Sequence, residues 1–178
     1  MNPDLRWLVP AAIYAVAQPC IAAKYMSVEE AMKLSFPVAE AFVEKVVQLS
    51  PAQMQAIDQA SGVRGRSAKQ QVWVVMVKGS VAGWFLIDQV IGKHELITYT
   101  LGINADGSVR QVQIIEYLET YGSQVRYPAW RDQFVGKTVE SPLELELDIG
   151  NITGATLSSR HLTEGIKRLL FLHQAVLR

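Results

Sequence analysis

The chain has 178 residues, which fits one domain at roughly 100 to 200 residues each, and its 49% hydrophobic and 19% charged content excludes disordered, collagen-like and coiled-coil classes. Seventeen basic residues cancel 17 acidic ones without any block of like charge, so nothing in the sequence recruits nucleic acid. The single Cys20 excludes an internal disulfide and Cys-based zinc or iron-sulfur sites, and His94, His161 and His173 lack metal-ligand spacing, so no metal site is expected.

In chain order, residues 1–23 read as a signal peptide. Arg6 and the amino terminus precede an apolar run over 8–17 that is shorter than the roughly 20 residues needed to span a bilayer. Pro19 ends that run, and the small residues after it place cleavage behind Ala22 or Ala23, taking Cys20 away with the peptide. The alternative is a short buried N-terminal helix.

Residues 24–70 read as a helical N-terminal part. Ser27 and Glu30 have the spacing of a capping box, Val38, Phe42, Val46 and Leu49 recur at three or four, and Ser50-Pro51 marks another helix start. The glycines and charges of 61–70 read as a loop. From residue 71 the period changes to two and persists to 118, with Asp106-Gly107 as a hairpin signal, so an antiparallel sheet is expected there. Residues 128–134 suggest a helical turn, and 143–147 alternate like a short strand. The chain closes in a helix whose Leu162, Ile166, Leu169, Leu170, His173 and Leu177 form one stripe. The expected class is α+β: an antiparallel sheet packed by N-terminal helices and a C-terminal helix.

Just before that last helix stands Thr153-Gly154-Ala155-Thr156-Leu157-Ser158. As local chemistry this is a hydroxyl-rich helix start in which Thr156 or Ser158 caps free amides. A helix N-terminus is also a place where free N–H groups and the dipole favour a phosphate. The segment resembles the Ser/Thr-Gly-Ala-Thr motif of the FMN-binding domain family. Glu119-Thr120-Tyr121-Gly122 is similar to that family's Glu-Thr-Pro-Gly loop, and 130–137 (WRDQFVGK) resembles its Trp-x-x-x-Phe-x-Gly segment. Three spaced motifs in one order extend the resemblance over about 71–178, and it implies an FMN-binding domain there. Gly150 stands where the family has Asp, with Asp148 two residues earlier, and Tyr121 replaces a Pro.

The resemblance implies FMN held covalently on Thr156 through a phosphoester bond. Thr153, Gly154, Ala155, Leu157 and Ser158 would surround the phosphate, and Glu119, Thr120, Tyr121, Gly122 and Trp130 would contact the flavin, with Arg126 and Lys137 as further cations. It implies a flavin transferase for maturation and redox partner proteins, membrane-bound ones among them. No catalytic side chain is expected, because the redox chemistry belongs to the ring. The expected whole is an exported protein, periplasmic or otherwise outside the cytoplasm, that acts as an electron carrier more than as a self-contained enzyme. The alternative is a flavin-free or noncovalent binding or structural module of the same fold.

Overall fold

The computed structural model describes residues 23–119 and 121–178. The signal-peptide reading therefore lies outside the described residues, apart from Ala23 at its edge, and so does Thr120. The elements are β1 (Ala23–Lys24), α1 (Val28–Ser35), β2 (Ala41–Gln48), α2 (Pro51–Ser61), β3 (Lys69–Val77), β4 (Ser80–Ile91), β5 (Leu96–Asn104), β6 (Val109–Tyr117), α3 (Pro128–Arg131) and α4 (Thr156–Leu172). A six-stranded antiparallel sheet runs in the order β1-β6-β5-β4-β3-β2, so the class is α+β as expected.

Both N-terminal helices start on capping boxes. Ser27 N–H donates to Glu30 Oε2 at 2.7 Å while Glu30 N–H donates to Ser27 Oγ at 3.1 Å, and Ser50 and Gln53 repeat the exchange before Pro51. These reciprocal bonds satisfy donors that a helix start leaves open. Between the helices the reading fails: residues 41–48 are a strand, paired in register from Ala41 opposite Met76 to Gln48 opposite Lys69. The physical reason is position. On an edge strand only Val47 is buried, so the apolar spacing carries little information, while Val43, Val46 and Val47 favour extended backbone and β3 supplies the hydrogen bonds.

Residues 71–118 form the predicted meander. Its β3–β4 turn uses Lys78 and Gly79 at φ 50° and 72°, the positive values of a tight hairpin. The alternation at 143–147, in contrast, makes no strand of the sheet. Asp148 Oδ1 accepts Glu144 N–H at 2.9 Å, the amides of Leu147, Asp148 and Ile149 donate to Glu144 O, and Leu143 and Glu146 take positive φ. A local carboxylate-closed turn overrides the period of two, leaving one bridge between Leu145 and Ile149.

Two cores flank the sheet. On one face, α4 lays Leu162, Ile166 and Leu169 against Leu86, Tyr99 and Leu101, and α2 adds Ile57. On the other, α1 packs Met32 with Phe36 against Trp73, Val75 and Phe85. The predicted stripe of α4 therefore faces the sheet, and its N-terminal end arrives beside the β4–β5 turn and the chain that follows β6.

Candidate functional site

The site forms where three loops meet at the start of α4. Thr156 is the first residue of that 17-residue helix, and its N-cap is Ala155. No side chain caps the helix, so the expectation that Thr156 or Ser158 does so is corrected: the cap position belongs to a residue with no acceptor on its side chain. Thr156 is exposed, and its Oγ1 accepts only Asn151 Nδ2–H at 3.3 Å. Ser158 points inward instead, 4% exposed, with its Oγ 3.2 Å from the Tyr117 hydroxyl. Leu157 is 40% exposed and faces outward.

Residues 154–158 form one wall of a cleft of ≈ 360 Å³, and Lys93, His94, Glu119 and Tyr121 form the other. Gly122 joins the two motifs. It sits at φ 86°, and a Cβ there would come within 2.8 Å of both the Ala155 Cβ and the Tyr117 hydroxyl oxygen. The Tyr117 hydroxyl donates to Tyr121 O, and burial raises the pKa of that phenol despite the Ser158 hydrogen bond. Tyr121 itself is 79% exposed, so its ring is available at the cleft.

Glu119 faces the neighbouring turn. Its Oε1 accepts Glu95 N–H at 2.9 Å and also His94 N–H, and it lies against Gly92, where a Cβ would approach that oxygen to 2.7 Å. Burial pushes this carboxyl up, but the amides of Glu95, His94 and Lys93 outweigh burial and hold it below its ordinary value. Glu119 thus fixes the 92–95 turn that carries Lys93 and His94 to the cleft. His161 docks the same turn from α4, with its Nδ1 2.6 Å from Ile91 O and 3.0 Å from Gly92 O.

Trp130 is 5% exposed and packed edge-on against Phe134, with its Nε1–H donating to Gly150 O at 2.7 Å. Gln133 Oε1 accepts Gly150 N–H at 2.6 Å, so the third motif grips both polar groups of Gly150 and aims the chain toward Thr156. Asp148 pairs with Lys137 at 2.9 Å, and Arg126 stacks on Tyr25 at 3.8 Å, so neither of the two further cations reaches the cleft. Thr153 is exposed on the turn just ahead of the cleft. Lys93 and His94 are the lining residues that sequence reasoning missed, since a Gly-Lys-His-Glu turn has no motif of its own and reaches the cleft only through β4 and β5. Among the described residues no cluster of His, Cys, Asp and Glu is placed to hold a metal, and no helix is long and apolar enough to cross a membrane.

The fold is thus an antiparallel α+β domain with an uncapped helix N-terminus and an exposed threonine hydroxyl at the edge of a cleft. Residues 92–170 match the model of the FMN-binding domain family, so over that span the chain is similar to its members. It is 29% identical over 119 residues, 62% of this chain and 53% of the relative, to a component of the Na(+)-translocating ferredoxin:NAD(+) oxidoreductase complex of Acetobacterium woodii. It is 30% identical over 89 residues, 44% of this chain and 42% of the relative, to a component of the ion-translocating oxidoreductase complex of Aliivibrio fischeri. The chain thus spans about half the length of the curated relatives it matches. A solved structure, that of one component of the Na(+)-translocating NADH-quinone reductase from Parabacteroides distasonis, aligns over 81% of this chain and 84% of its own, with a TM-score of 0.46 and 15% identity.

Proposed function

We propose that this FMN-binding domain carries its cofactor covalently, esterified through the phosphate to the Thr156 hydroxyl, and passes electrons between redox partners outside the cytoplasmic membrane. The observation that carries the reading is the meeting, in one cleft, of an exposed hydroxyl, an uncapped helix N-terminus and the Lys93 side chain. Free amides and the helix dipole favour a dianionic phosphate beside Thr156, and a nearby ammonium adds to that preference. FMN supplies one- and two-electron chemistry when bound, so the protein has only to bind, orient and set polarity. Tyr121 offers an exposed aromatic face at the opening, Glu119 holds the turn bearing Lys93 and His94, and Trp130 with Gln133 fixes the approach to Thr156. These are supporting roles.

The signal-like pattern of residues 1–23 supports export, and a covalent bond would keep the cofactor from being lost by dilution in an outside compartment. The relatives, named as parts of ion-translocating oxidoreductase complexes, support redox partner proteins, membrane-bound ones among them. A flavin transferase would install the cofactor. Intact mass of the exported protein, co-produced with such a transferase, tests the reading: a gain equal to FMN less one water, absent in Thr156→Ala, is expected. An unmodified mass in both would overturn covalent attachment and leave the noncovalent or flavin-free module.

A further inference from the structure

A second cavity, of ≈ 210 Å³, opens further along α4, between the 62–68 loop, the end of β4 and the helix face carrying His161, Glu164, Gly165 and Arg168. It shares no lining residue with the Thr156 cleft. Thr156 and Arg168 are twelve residues apart, about 18 Å along a helix. Arg168 is the unusual member. It is 6% exposed, yet its Nε and Nη2 have no hydrogen-bond partner among the described residues.

Those two nitrogens form the edge of a guanidinium that can make two parallel N–H···O bonds to one carboxylate or phosphate. The ion-pair partner within reach is Asp58, whose Oδ1 lies 3.7 Å from Nε and is already used at 2.8 Å by the Gly65 amide. The 62–68 loop is built to cover the group: a Cβ on Gly65 would stand 2.3 Å from Nη2. The same loop brings exposed Arg64 and Arg66 to the lining beside Asp88 and Glu164, while Asp58 stands against Arg168 from outside the lining. Asp88 is engaged, accepting the Tyr99 hydroxyl at 3.1 Å, and burial raises its pKa against the pull of Arg168 and Arg66. A buried cation with an unmet fork costs more than an exposed one, and such groups in folded proteins are ordinarily matched.

We infer that the cavity beside Arg168 is a binding site for a small oxyanion, a carboxylate or phosphate group on a compact molecule, distinct from the Thr156 cleft. Arg168 receives the oxyanion and the mouth arginines Arg64 and Arg66 attract it. The inference stands independently of covalent flavin attachment.

Thermal unfolding and isothermal titration of the full chain, with sodium succinate and with sodium phosphate against sodium chloride at equal ionic strength, test it. At a probe concentration about 100-fold above Kd, Tm should rise on the order of 5 °C with at least one probe and not with chloride, and the better probe distinguishes a carboxylate from a phosphate ligand. Arg66→Ala, a surface change, should weaken that binding about tenfold, and Arg168→Lys, which keeps the charge but loses the fork, should abolish it. Lys33→Ala on α1, across the sheet from the cavity, should leave it unchanged. Neither probe binding in the titration, an equal shift with chloride, or unaltered affinity in Arg66→Ala together with a folded Arg168→Lys would overturn the site.

Discussion

At Thr156 the hydroxyl has one long hydrogen bond, to Asn151, and the side chain lies in solvent, so its removal should take almost nothing from the fold. Thr156→Ala is expected to unfold within about 0.5 kcal/mol of the parent in urea while failing to gain the flavin mass, whereas Thr156→Ser should keep it. A large loss of stability in the alanine variant would instead make Thr156 a structural residue. His173 tests a different balance. It is 2% exposed, lies 4.3 Å from the Trp84 ring centroid, and burial aided by Arg178 lowers its pKa from 6.5 to about 4. The unfolded chain then binds the proton more readily between pH 4 and 6.5, so this residue's stabilisation is full above 6.5 and falls as pH drops toward 4. The loss reaches up to about 3 kcal/mol, and His173→Leu should flatten the slope in that window whatever its baseline stability. Thr156 was legible because a short motif names it. Lys93 and His94 were not, since only the sheet register brings their turn beside α4.

Among the elements, legibility followed burial. The four long strands of the meander carry their signals in the chain: a change to period two, Gly79 and Gly107 where positive φ is required, and β-branched runs between. Strand β2 escaped because an edge strand half in solvent shows no clean alternation, and 143–147 misled because Asp148 folds the segment on itself. Packing between elements leaves sharper tests. Helix α4 approaches the sheet through Gly165, where a Cβ would lie 2.5 Å from the Tyr99 hydroxyl oxygen and 2.9 Å from Val90 Cγ1. Gly165→Ala must displace the helix or break the Tyr99 to Asp88 bond, and a loss of about 1–3 kcal/mol in urea is expected. Gly122→Ala acts locally: with φ at 86° and Ala155 in the way, it should pry the 119–124 loop from the 153–156 turn. Its flavin incorporation on Thr156 should fall at least several-fold while the thermal midpoint drops only a few degrees, both readable by mass and by circular dichroism.

The whole molecule divides its labour across the sheet. Helix α4 and the loops that meet it build both cavities on one face, while the layer of α1 gives the other face a core that touches neither. The centre of that layer is Phe36, 4% exposed, whose ring lies over Gly83 and Gly102 of adjacent strands, where a Cβ would come within 3.0 and 3.2 Å of it. Phe42 meets it edge-on at 6.4 Å, and the Arg110 guanidinium stands 4.9 Å from its centroid. With glycine beneath the ring, no side chain of those two positions can refill the space, so Phe36→Ala should cost about 3–5 kcal/mol. Because the sheet lies between this hollow and Thr156, the folded fraction of the variant should still take up flavin as the parent does. Chemical unfolding and intact mass on the same preparation read both quantities. A loss of flavin uptake in protein shown to be folded would mean that the two faces are coupled through β4 and β5, whose far ends carry the Lys93 and His94 turn.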